Sequence, residues 1–95
     1  MDEFLAEAYV ARRDAAAVEA GANRTRAAAH ELTRHGCPVR FVRTIFVPAD
    51  ETCFYLFEAS SLSAVQAAGE RAGVRFEHVS DASRRRPAAT SREES

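Results

Sequence analysis

Glu7, Cys53 and His78 supply a carboxylate, a thiol and an imidazole. Protein sites for divalent transition metals are built from these side-chain types. They lie far apart in the chain, so only a fold that gathers separate elements unites them. His30, His35, Cys37, Glu58 and Glu77 complete the inventory of candidate ligands, and no CxxC, HxH or HExxH run pre-assembles a site. His30 and His35 are five residues apart, about 140° around a helix axis, and do not chelate jointly from a regular helix. Glu31 and His35 share a helical face at i, i+4. They form either a weak surface site or, for His35, a cation that complements a helix C-terminus. Tyr9, Arg43 and Tyr55 are the residues expected to line a chamber for a small ligand.

The elements that must position these groups follow from periodicity and punctuation. Residues 4–9 read as a first strand. Asp14 is expected to N-cap a helix that runs to about His35 and stops at Gly36, with Pro38 discouraging continuation. Its inward face is Val18, Gly21/Ala22, Thr25, Ala28/Ala29 and Leu32, mostly small, so it should lie close on a sheet. Residues 39–48 and 51–60 form a hairpin across a tight Pro48-Ala49-Asp50-Glu51 connection, whose two carboxylates read as solvated turn residues. Ser60 or Ser61 caps a second helix with Leu62, Val65, Ala68 and Ala72 on one face and Gly73 at its end, and residues 74–80 are a fourth strand. The order βαββαβ predicts an α+β, ferredoxin-like fold, with two helices covering one face of a four-stranded antiparallel sheet. Strand one is then central, between strands three and four.

The hairpin strands are apolar on both faces. Cys53, Tyr55 and Phe57 alternate with Phe54 and Leu56, and strict alternation sets Val39, Phe41, Ile45 and Val47 against Val42 and Phe46. A chain of 95 residues buries only roughly 60–65% of its unfolded surface, and the helices cover one face. A second copy packed on the other makes an isologous dimer, a dimeric α+β barrel, with Phe41 and Phe57 expected at the interface and a ligand chamber between the sheets. If Ala6 and Ala8 lie under the helices, then Leu5, Glu7 and Tyr9 face that chamber. A carboxylate there needs a partner. Glu7 is therefore a metal ligand, a general base, or one half of an ion pair with Arg43 within or between subunits; His78 is another possible partner. Cys53 is either a chamber ligand or a buried structural thiol.

A net charge of -1 provides no pull toward nucleic acid or an anionic membrane. The aromatics do not interleave with a basic stripe, so the RNA-recognition use of this topology lacks its stacking signature. The start, Met-Asp-Glu-Phe, has no basic n-region before an apolar run, and no stretch is long enough to span a membrane. Two cysteines do not make a disulfide framework, which points to a cytoplasmic protein with reduced thiols. Residues 1–82 form one domain, and residues 83–95, with Arg84, Arg85 and Arg86, are expected to be a disordered tail.

Residues 39–79, VRFVRTIFVPADETCFYLFEASSLSAVQAAGERAGVRFEHV, resemble the DUF4242 family. The most telling part is TIFVPADETCFYLFEA, residues 44–59: a hairpin, a P-x-D-E-T-C turn and an apolar strand closing on Glu-Ala. At the N-terminus, FLAEAYV departs from the family's F-x-V-E-R-Y-x start, because Ala8 replaces the basic residue between Glu7 and Tyr9. The resemblance extends over residues 4–82. It implies a dimeric ferredoxin-like barrel, and it implies nickel, because the family includes a nickel-binding actinobacterial protein. Three functions are thus in view. The first is a small homodimeric protein that binds nickel or another divalent transition metal through Glu7, Cys53 and His78. The second, an enzyme of isomerase or monooxygenase type, takes a small molecule in the chamber with Glu7 or His78 as acid/base. The third is a noncatalytic interaction or stress module using the Arg-rich tail.

Overall fold

The computed structural model describes residues 1–82. The tail expected at 83–95, with its Arg84–Arg86 run, lies outside the described residues. The elements are β1 (Asp2–Tyr9), a 3-10 turn (Arg12–Asp14), α1 (Ala16–Arg34), β2 (Val39–Val47), a second 3-10 turn (Pro48–Asp50), β3 (Thr52–Ala59), α2 (Leu62–Ala72) and β4 (His78–Asp81). They form a four-stranded antiparallel sheet in the order β2-β3-β1-β4, the ferredoxin-like arrangement, with β1 central.

Both helices end where glycine permits it. Gly36 (φ 88°) and Gly73 (φ 71°) adopt the left-handed conformation. At each, paired N–H groups close back onto the last turn: Gly36 to Thr33 and Cys37 to Leu32, Gly73 to Glu70 and Val74 to Gly69. Ser61 caps α2, its hydroxyl accepting from the Ala64 N–H at 3.2 Å. Asp14 does not cap α1. It closes the preceding 3-10 turn by donating its N–H to Ala11, and α1 starts from Ala15 with no side-chain cap.

The core lies between sheet and helices. The buried face of α1 is Gly21, Ala22, Thr25, Ala28 and Ala29, and that of α2 is Ala64, Val65, Ala68, Gly69 and Ala72. These small residues leave room for large ones on the sheet. The Thr25 hydroxyl, fully buried, is satisfied by the Gly21 carbonyl at 2.8 Å. Opposite the helices lie Phe4, Ala6 and Ala8 of β1, Phe41 of β2, and Cys53, Tyr55, Phe57 and Ala59 of β3. Phe41, Tyr55, Phe57 and Phe76 form an aromatic cluster with centroids 5.2–5.9 Å apart. Leu62, expected on the inward face of α2, is 43% exposed.

Three departures from the sequence reading shape the site. A β-bulge between Phe41 and Arg43 inserts Val42 into β2 and reverses the alternation. Val39 and Phe41 therefore pack under the helices, whereas Ile45 and Val47 face the other way, together with Arg43. Next, β4 begins at His78 rather than Val74, because residues 74–77 leave the ladder and Phe76 packs on α2 at Gly69. Finally, Glu51 is not a free turn carboxylate. It closes the hairpin in the left-handed conformation (φ 50°) and accepts from the Arg12 N–H at 2.9 Å and the Tyr9 hydroxyl at 3.4 Å.

Candidate functional site

The face of the sheet that no helix among the described residues covers is laid out in rows by the strand register. Arg43, Leu56, Leu5 and Ser80 form one row from β2 to β4, and Ile45, Phe54, Glu7 and His78 the next. Val47, Thr52 and Tyr9 follow. The middle is apolar, with Leu5, Phe54, Leu56 and Val47 half-buried and Ile45 38% exposed in the single chain. Glu7 and His78 are directly opposed across β1 and β4, which puts their Cβ atoms roughly 4.5–5.5 Å apart. A carboxylate and an imidazole at that separation can share one cation.

Cys53 is not with them. It pairs with Ala8 and points under the helices, fully buried, so the trio does not converge. Burial pushes the Cys53 thiol above its ordinary value, which makes it a poor thiolate ligand. No group of three or more His, Cys, Asp or Glu side chains that could hold a metal occurs among the described residues. Arg43 shares the open face, two strands from β1, and forms no ion pair with Glu7 among the described residues. Of the other candidates, Glu58 is paired with Arg40 at 3.0 Å and Glu77 lies 3.7 Å from Arg75. His35 Nδ1 lies 2.8 Å from the Glu31 carbonyl, at the end of α1. His30 is exposed on α1 and Cys37 half-buried beside the core.

Tyr55, expected in the inter-sheet chamber, lies on the helix side. Its ring is held between Phe41 and Phe76 and its hydroxyl reaches Gly21, where a Cβ would lie 2.5 Å from Oη. Tyr55, Gly21, Arg24, Tyr9, Val74 and Arg75 help to line a cleft of about 310 Å³. Tyr9 and Tyr55 thus do share a cavity, but it lies within one chain, between α1, the end of β1 and residues 73–77, and Arg43 is not part of it. Arg24 is fixed there by its Nε–H, which donates to the Ala72 carbonyl at 2.8 Å. Desolvation raises the Tyr55 pKa; proximity to Cys53 adds to this and the Arg24 guanidinium opposes it. The hydroxyl is thus a neutral donor at ordinary pH. Sequence reasoning missed this cleft because it continued β4 through residues 74–77. The available signal was glycine inside two helices, Gly21 and Gly69, each facing a large aromatic side chain.

No family model matches the chain, and neither does any curated protein. Among solved structures, the chain is similar to SCO4226 from Streptomyces coelicolor A3(2), known from a crystal structure analysis. The TM-score is 0.71 at 21% identity, over 83% of this chain and 93% of that one. A likeness at that identity bears on the fold. No helix among the described residues is long and apolar enough to cross a membrane.

Proposed function

We propose that the chain works as a homodimer closed over its apolar sheet face, and that the interface holds a divalent transition-metal cation through Glu7 and His78. The observation that carries this reading is the Glu7–His78 pair, set in register at the margin of the apolar patch of Leu5, Ile45, Phe54 and Leu56 on the face opposite the helices. An apolar patch of that kind is rare on a monomer, and an isologous interface presents each of its residues twice. Two copies supply two carboxylates and two imidazoles, a donor set suited to nickel or zinc. The resemblance of residues 44–59 to the DUF4242 family favours nickel. Two free thiols, Cys37 and Cys53, fit a reducing, cytoplasmic setting.

A second reading has one observation in its favour. Arg43 stands on the same face with no ion pair among the described residues, so Arg43 of a second copy can neutralise Glu7 without any metal. Titration calorimetry of Ni²⁺ into tag-free, chelator-stripped protein, with Zn²⁺ as comparison and light scattering for mass, separates the two. Metal binding predicts stoichiometric uptake that Glu7→Gln and His78→Ala each abolish while the dimer persists. No uptake, or uptake unchanged in both variants, would sink it. A Glu7→Gln protein that dissociates and a wild type that ignores both ions would establish the ion pair instead.

A further inference from the structure

The Tyr55 hydroxyl sits where an unused donor is costly. Tyr55 is only 2% exposed, and among the described residues no hydrogen-bond partner meets its Oη. Buried polar groups in folded proteins are almost always paired, and an orphan calls for an explanation. The backbone makes room for this one, since only glycine at position 21 lets the hydroxyl reach α1. Beside it stands Arg24, tied by one nitrogen to the end of α2, with its remaining guanidinium N–H groups making no other hydrogen bond among the described residues. The adjoining Arg75 lies 3.7 Å from Glu77, so its charge is partly matched. Ala8, Val10, Ala17 and Val74 supply apolar wall.

We propose that this cleft is a binding site for a small organic carboxylate, one oxygen accepting from the Tyr55 hydroxyl and the other from the Arg24 guanidinium, with the ligand's apolar body against Val10, Ala17 and Val74. One neutral donor, one uncommitted cation and an apolar wall suit a monoanion with a hydrocarbon part. Inorganic phosphate fits less well, because it has no apolar body to set against the Val10, Ala17 and Val74 wall. The volume, about 310 Å³, is at the low end of the roughly 300–1,000 Å³ of small-molecule sites, so the ligand is small. The site lies within one chain, on the opposite side of the sheet from Glu7 and His78, and its occupation does not depend on the dimer or on a metal.

Benzoate and hexanoate are the probes, with benzamide and inorganic phosphate as controls, followed by amide NMR shifts of the full chain. The expected result is saturable benzoate or hexanoate binding that moves Gly21, Arg24 and Val74, with benzamide and phosphate inert. Tyr55→Phe, which keeps the ring, and Arg24→Gln should each weaken the affinity roughly tenfold or more, with the unfolding temperature of Tyr55→Phe no lower than that of the wild type. Failure of both carboxylates to bind, phosphate or benzamide binding as well as they do, or affinities unchanged in both variants would each overturn the proposal. A Tyr55→Phe protein that is clearly less stable would overturn it too, by showing that the hydroxyl already has a partner.

Discussion

Replacing Gly21 by alanine tests the Tyr55 geometry through stability alone. Gly21 lies inside α1, where Gly→Ala ordinarily stabilises by about 1 kcal/mol. Here the new Cβ would fall 2.5 Å from Tyr55 Oη and 3.7 Å from Cζ. The ring is gripped by Phe41 and Phe76, so the hydroxyl cannot swing aside without moving the aromatic cluster. Overpacking of this kind costs about 1–3 kcal/mol. The net expectation for Gly21→Ala is therefore from neutral to about 2 kcal/mol destabilising. In a Tyr55→Phe background the offending atom is gone, and the remaining contact at 3.7 Å is ordinary. The same substitution should then recover its full helical gain of about 1 kcal/mol. The double-mutant cycle thus predicts a coupling of about 1–3 kcal/mol, or roughly 4–24 °C in Tm at about 4–8 °C per kcal/mol for a domain of this size. Urea unfolding of the four proteins, followed by far-UV circular dichroism, gives the number directly. Additivity within about 0.5 kcal/mol would refute the placement of the hydroxyl against Gly21.

Two further outcomes are expected. Phe54→Asp and Leu56→Asp, on the uncovered face, should keep the fold and yield a monomer by light scattering, whereas Phe57→Asp, fully buried, should cost several kcal/mol and unfold the chain; a Phe54→Asp protein with unchanged mass would count against self-association through that face. Stability should also fall in alkali. Cys53 and Tyr55 hold their protons above their ordinary values of 9.0 and 10.0, so the unfolded chain loses them first. Their contribution is complete below about pH 9 and is lost as pH rises through the folded-state values. The urea midpoint should decline from there, less steeply in Cys53→Ala, and a flat profile up to about pH 10.5 would contradict the burial of both groups.

The elements were legible because local chemistry decides them. Gly36, Gly73 and Ser61 end or start helices through their own backbone or side-chain properties, and the small-residue face of α1 was readable from spacing alone. Which face of each strand meets the helices is a different matter. In β3 both parities are apolar, so alternation alone could not choose between Cys53-Tyr55-Phe57 and Phe54-Leu56. Packing complementarity makes the choice: helices faced with alanine and glycine leave space for the larger rings, so Tyr55 and Phe57 go under them and take Cys53 along. That one choice removes Cys53 from any site with Glu7 and His78. In β2 the bulge at Val42 depends on pairing with β3, and a stretch with apolar residues at both parities carries no local mark of it. Residues 74–77 alternate like a strand, yet Phe76 is worth more against Gly69 and the aromatic cluster than in the ladder.

The bulge in β2 has a consequence for how copies of this chain can meet. β2 is an edge strand, and an edge strand offers unpaired backbone groups to any other extended chain. Growth along an edge has no natural end, since each added strand exposes a new one; packing face to face ends at two. An irregular, twisted edge is a poor template for strand addition, and here Val42 breaks the ladder beside Arg43, an exposed charged side chain of the kind that discourages edge pairing. One inserted residue therefore does two jobs. It turns Ile45 and Val47 out onto the open face, and it spoils the neighbouring edge, which favours the face-to-face pair proposed above over a fibre.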